Sequence, residues 1–163
     1  MVVLDVDGVL TDGRAFYGPD GAEYVAFNVH DGTGIKWLQR AGIVVALLTG
    51  RTLEAVARRA QVLGVGHVVQ GAKVKLEGYE RLKREAAVED EAVCYVGDDL
   101  PDLPVMRRAG LAVAVANARP EVRAAADVVT TARGGEGAVR ELAEMILKAR
   151  GTWEQVTRRY FTD

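Results

Sequence analysis

Six short apolar runs, mostly β-branched, recur along the chain at 2–4, 43–48, 67–69, 92–96, 111–115 and 128–129. None alternates polar with apolar, so a strand built from any of them is apolar on both faces and must be covered on both. Between them lie charged segments of helical period at 34–40, 52–63, 76–87, 103–109 and 120–126, and a last one follows at about 137–149. Strand–helix alternation of this kind predicts an α/β fold, a doubly wound parallel sheet in three layers. One segment departs from it. Phe16-Tyr17, the turn Gly18-Pro19-Asp20-Gly21 and the stretch from Tyr24 to Val29 read as a β-hairpin protruding after the first strand, at about 15–29. It has no obvious core of its own to cover, and is either a surface excursion or an oligomer contact.

The length of 163 residues suits one domain over 1–163. With 49% apolar and 27% charged residues the chain is not disordered, and a net charge of −2 excludes a broad nucleic-acid footprint. No run approaches the roughly 18 apolar residues that span a membrane, and Asp5 comes too early for a signal peptide. A cytoplasmic protein without membrane partners is therefore expected. The single cysteine, Cys94, sits in an apolar run and reads as core. The tail at about 151–163 carries Trp153, Tyr160 and Phe161, which suggests that it docks on something.

Three of the runs end in polar residues: Asp5-Val6-Asp7-Gly8-Val9-Leu10-Thr11, Thr49-Gly50-Arg51 and Gly97-Asp98-Asp99-Leu100-Pro101-Asp102. Ligands of open α/β sheets bind beyond the carboxyl ends of the strands. If these three strands are neighbours, Asp5, Asp7, Thr49 and Asp98 converge. Clustered carboxylates at buried strand ends repel one another, and a divalent cation resolves the conflict. An all-oxygen set suits Mg²⁺, which brings phosphate with it. Asp5 can then act as a carboxylate nucleophile, Asp7 as general acid and base, Thr49 and the Gly50 amide as donors to phosphoryl oxygens, and a lysine as charge stabiliser. Asp99 and Asp102 are equally readable as helix caps. His67 reads as structural.

These motifs, in this order, resemble the signature of the haloacid dehalogenase superfamily. In the run from Gln70 to Leu76, Lys73 and Lys75 compete for the superfamily's lysine, and Lys75 stands in the motif position. Neither the gap from Asp7 to Thr49 nor that from Thr49 to Lys75 has room for a cap domain. Thr11-Asp12-Gly13, the hairpin, the segment from Asn28 to Ile35, the segment from Gly97 to Met106 and the Gly134-Gly135-Glu136-Gly137 run look like the capless family of 3-deoxy-D-manno-octulosonate 8-phosphate phosphatases. That resemblance implies a Mg²⁺-dependent phosphatase of an acidic sugar phosphate, assembled as a homotetramer through the hairpin. It implies Asp5, Asp7 (through its backbone carbonyl) and Asp98 at the metal, and a phospho-Asp5 intermediate. It implies substrate contacts from Asp7, Asn28, Val29, His30, Asp31, Gly32, Lys36, Thr49, Gly50, Arg51, Arg59 and Lys75, with Arg51 and Arg59 on one face of one helix. His30 stands where the family usually has Arg or Lys. The alternatives are an N-acylneuraminate-type 9-phosphate phosphatase, the phosphatase-like domain of a sialic-acid cytidylyltransferase, or, in a different class, a receiver-like or non-catalytic module. A receiver has its phosphoacceptor on a later strand and no acid two residues on, which argues against it.

Overall fold

The computed structural model describes residues 1–161. Six parallel strands form one sheet in the order β5-β4-β1-β6-β7-β8, with β1 at Val2–Leu4, β4 at Val45–Leu48, β5 at His67–Val69, β6 at Cys94–Gly97, β7 at Leu111–Ala114 and β8 at Val128–Val129. The two halves of the chain wind outward from β1 in opposite directions, so the crevice at the switch point opens beside β1 and β6. All three residues of β1 are buried, and Leu4 pairs with Leu47 on one side and Val96 on the other. The three strands with polar ends are therefore adjacent, as the sequence requires for a shared site.

Helix α1 (Val29–Arg40) contacts both α2 (Glu54–Leu63) and α6 (Ala138–Ala149) in one layer. Helices α3 (Lys75–Ala86), α4 (Leu103–Met106) and α5 (Pro120–Ala125) form the other. The apolar faces follow helical spacing: Val56, Ala60 and Leu63 are buried on α2, and Val139, Leu142, Ala143 and Leu147 on α6. Gly34 lets α1 and α6 approach closely. A Cβ there would stand 3.0 Å from the Arg140 backbone and 3.1 Å from the Ala143 side chain.

Helix starts differ from those the periodicity suggests. Helix α1 begins at Val29, because the Asn28 side-chain oxygen Oδ1 accepts from the His30 amide at 2.7 Å and caps the helix. The segment from Asn28 to Gly32 is thus the capped first turn of α1. Helix α2 begins at Glu54, since the Leu53 amide is held by the Gln70 side chain at 2.8 Å. Arg51 consequently lies in the β4–α2 loop and shares no helix face with Arg59. A single 3₁₀ turn at Leu100–Asp102 precedes α4, which is shorter than the expected 103–109.

The hairpin is present but small. Its strands are β2 (Phe16–Tyr17) and β3 (Glu23–Tyr24), paired Phe16 with Tyr24 and Tyr17 with Glu23, so the second strand stops well short of Val29. The tail turns back onto its own chain through α7 (Trp153–Thr157). Trp153 meets Trp37 of α1 edge-on with centroids 5.2 Å apart, and the Tyr160 hydroxyl accepts from Arg40 at 2.9 Å and from the Trp37 indole at 3.4 Å. The last two residues of the expected tail lie outside the described residues.

Candidate active site

The segment after β1 is folded around one carbonyl. The Val6 oxygen accepts from the Leu10 and Thr11 amides, each at 3.0 Å. The Thr11 hydroxyl, fully buried, accepts from Gly8 and Gly13 at 3.3 and 3.2 Å. Gly8 adopts φ +89°, and a Cβ there would fall 2.1 Å from a carboxylate oxygen of Asp98. The glycine run before α6 braces this segment from outside: the Gly135 amide donates to the Val9 carbonyl at 2.9 Å. Asn117 bridges the two, donating to the Gly8 carbonyl at 3.3 Å and accepting from the Gly134 amide at 2.6 Å.

The result is a cleft of about 280 Å³ lined by Asp5, Asp7, Gly13, Thr49, Gly50, Lys75, Asp98, Asp99 and Pro101. It therefore gathers every residue that the sequence marked for catalysis or for the metal. Lys75, the first residue of α3, stands 2.8 Å from Asp5 and 2.5 Å from Asp102. Burial pulls its pKa down, but the two carboxylates outweigh burial and hold it above the usual lysine value. Lys73 lies outside the cleft.

Asp102 organises the far wall. It is fully buried and accepts four hydrogen bonds: Lys75 at 2.5 Å and the Tyr95 hydroxyl at 2.6 Å on one oxygen, the Asp98 and Asp99 amides at 3.0 and 3.1 Å on the other. Asp99 and Asp102 form a reciprocal capping box around the 3₁₀ turn. Gly97 permits this fold-back, since a Cβ there would stand 2.5 Å from that of Asp102.

The same corner can hold a cation. Asp5, Asp98 and Asp102 each bring a carboxylate oxygen within 4.8 Å of the others. Asp102 is saturated by its four donors, but Asp98 Oδ1 is buried and has no hydrogen-bond partner among the described residues. Burial, then the nearby Asp102 carboxylate, push Asp98 up to about 6. The same two causes lift Asp5 well above the ordinary range, against the pull of Lys75. An orphaned buried oxygen beside a second carboxylate fits a hard divalent ion such as Mg²⁺. The Asp7 side chain is not part of this cluster. Its carboxylate accepts from Thr49 at 3.3 Å and from Arg51 at 2.9 Å.

Several expected substrate contacts lie elsewhere. Asp31 is buried and accepts from the Arg140 amide at 2.8 Å, so it caps the start of α6 and is structural. Arg59 donates to the Asn28 carbonyl at 3.0 Å and stacks over Phe27 at 5.7 Å, an arrangement that needs Gly32, where a Cβ would meet the guanidinium at 2.5 Å. The Asn28 side chain is turned to the Gly135 carbonyl at 3.2 Å. Lys36 reaches toward Gly64 at the far end of α2. Val29 and His30 are exposed on the first turn of α1 and do not line the cleft. Two participants escape a sequence reading: Tyr95, which looks like core, and Glu23, which sits on the hairpin and meets Arg51.

Carboxylates at the ends of β1 and β6, a threonine after β4 and a buried lysine at a helix start define a haloacid dehalogenase-like hydrolase, and the haloacid dehalogenase-like hydrolase family matches residues 31–110. The chain is 46% identical over 155 residues to the 3-deoxy-D-manno-octulosonate 8-phosphate phosphatase KdsC of Escherichia coli (strain K12), covering 95% of this chain and 82% of that one. The crystal structure of the Yersinia pestis 3-deoxy-D-manno-octulosonate 8-phosphate phosphatase superposes with a TM-score of 0.92 at 45% identity, covering 94% of this chain and 83% of that one. The Moraxella catarrhalis phosphatase, solved with magnesium, phosphate and KDO, superposes with a TM-score of 0.95 at 42% identity, covering 98% and 91%. The chain belongs to the family of 3-deoxy-D-manno-octulosonate 8-phosphate phosphatases.

Proposed function

We propose that this chain is a Mg²⁺-dependent phosphatase that hydrolyses 3-deoxy-D-manno-octulosonate 8-phosphate through a phospho-Asp5 intermediate. The observation that carries the reading is the pairing of Asp5 with Lys75 beside the orphaned oxygen of Asp98. In this reading Asp5, the Asp7 backbone carbonyl and Asp98 hold Mg²⁺, which when bound draws charge from the phosphoryl oxygens. The Asp5 carboxylate attacks phosphorus and the bond to the sugar oxygen breaks. Asp7 gives its proton to that oxygen. Asp7 then takes a proton from water, whose oxygen attacks phosphorus and frees phosphate and Asp5. Lys75, the Thr49 hydroxyl and the Gly50 amide stabilise the charge that spreads over the phosphoryl group.

The cleft of about 280 Å³ is at the small end for a ligand site. It accepts the phosphoryl end and leaves the sugar toward Arg51, whose cation suits a carboxylate. Phosphate release from a panel of sugar phosphates tests the reading. We expect a strong preference for 3-deoxy-D-manno-octulosonate 8-phosphate over N-acetylneuraminate 9-phosphate, abolished by EDTA. Preference for the nonulosonate would move the assignment, and no release from any ester would end it.

Mg²⁺ should also stabilise the fold, by about 2.7 kcal/mol at a hundredfold excess over its dissociation constant. Asp98→Asn should remove most of that gain. Thermal melts with and without Mg²⁺ read it directly, and an unchanged gain in the variant would take Asp98 out of the metal set.

Assembly as a homotetramer through the hairpin is part of the same proposal. Phe16, Tyr17 and Tyr24 are 54%, 71% and 57% exposed on a two-residue ladder, a costly surface for a monomer. Light scattering should show a smaller particle for the Tyr17→Ser/Tyr24→Ser double variant; an unchanged mass would remove the hairpin from the interface. No helix among the described residues is long and apolar enough to cross a membrane, and we propose that the enzyme works in the cytoplasm.

A further inference from the structure

We infer that Glu23, on the hairpin strand β3, is a positioning residue for Arg51: it fixes the guanidinium over Asp7 at the mouth of the cleft, where a second anionic group of the substrate arrives. The inference rests on the phosphatase reading and refines it.

Arg51 has no helix to support it. It stands in the β4–α2 loop, its amide held by the Thr49 hydroxyl at 3.2 Å and its side chain 38% exposed. Two carboxylates fix the guanidinium, one on each terminal nitrogen. Nη1 donates to Asp7 at 2.9 Å, and Nη2 donates to Glu23. A single ion pair leaves a long side chain free to pivot, whereas two anchors on separate nitrogens set the plane of the fork.

The two anchors differ in kind. Asp7 lines the cleft, accepts from Thr49 as well, and belongs to the reacting machinery. Glu23 lies outside the cleft lining, and among the described residues Arg51 is the cation it meets. Its side chain is only 20% exposed, although its hairpin neighbours Tyr17 and Tyr24 are 71% and 57% exposed. A carboxylate tucked under an otherwise exposed ribbon is expensive to desolvate unless paired. Here it is paired, across 28 positions of sequence, with the arginine beside the phosphoryl site. The hairpin thereby reaches the active site of its own chain through one ion pair.

A double-variant cycle tests this, with kcat and KM measured on 3-deoxy-D-manno-octulosonate 8-phosphate and on p-nitrophenyl phosphate, which lacks a second anion. Glu23→Gln keeps the shape and removes the charge. It should raise KM for the sugar phosphate about three- to tenfold, as expected when one long side chain loses its fixed pose, with kcat little changed. KM for p-nitrophenyl phosphate should stay as in the wild type. Glu23→Asp should recover part of the loss. In an Arg51→Ala background, Glu23→Gln should have no further effect, because the two residues act as one unit. An equal loss in that background, an equal loss on p-nitrophenyl phosphate, or no loss at all would each overturn the inference while leaving the phosphatase reading intact. Wild-type enzyme inert toward both esters would remove both.

Discussion

Asp5→Asn is expected to release phosphate at least ~10⁴-fold more slowly than the wild type, the scale of losing a covalent nucleophile, while the metal-free variant melts no lower than the wild-type protein. The first half follows from chemistry, since an amide oxygen does not form the proposed phospho-enzyme. The second follows from charge. Three carboxylates, Asp5, Asp98 and Asp102, share the corner with one lysine. Burial, then the Asp102 carboxylate, raise both Asp5 and Asp98, which marks their ionised forms as destabilising when no cation is present. Replacing Asp5 by its neutral isostere removes one of these charges. Lys75 keeps its shorter contact, to Asp102 at 2.5 Å. Function here is held against stability, as active sites commonly are. Phosphate release and a thermal melt on the same preparation are sufficient. Turnover within tenfold of wild type would remove Asp5 as nucleophile, and a much lower melt would show that its pair with Lys75 outweighs the repulsion.

The fold was legible because its strands are apolar on both faces and alternate with helical segments, the pattern of a covered parallel sheet. The site was legible because three strand ends carry their polar residues at the same level, and the order β4-β1-β6 makes them neighbours. Contacts that join distant parts of the chain were not legible. Asp31 follows His30 and looks like a binding residue, yet it caps a helix 109 positions away. Arg51 and Arg59 are eight apart and look like one helix face, yet Gln70 holds Leu53 out of the helix and delays its start. Glu23 looked like one more hairpin residue, and its partner lies after a different strand. Tyr95 sits in an apolar run and pairs with Val3 of β1, but nothing local says that its hydroxyl serves Asp102. Periodicity reports which face of an element is buried; it is silent on which polar group another element delivers there.

Asp102→Ala is expected to be the most destabilising single change in the site, by about 3–5 kcal/mol, the cost of leaving a buried ion-pair partner uncompensated. For a chain of this size that is a fall in melting temperature of roughly 6–20 °C. The Asp102 side chain is fully buried, and its two oxygens satisfy an ammonium, a phenol and two backbone amides. All four donors lose their acceptor at once. The Asp98 and Asp99 amides then no longer fix the loop, and Lys75 keeps Asp5 alone, so activity should fall together with stability. Tyr95→Phe is the graded control. It removes one of the four donors and should cost only about 1 kcal/mol, with most activity retained. Calorimetry of the two variants separates the hub from its parts. If Asp102→Ala melts like Tyr95→Phe, the acid is a helix cap that happens to face the lysine. If it melts far lower and loses turnover, the wall that aims Asp98 and Lys75 into the cleft is built on this one carboxylate.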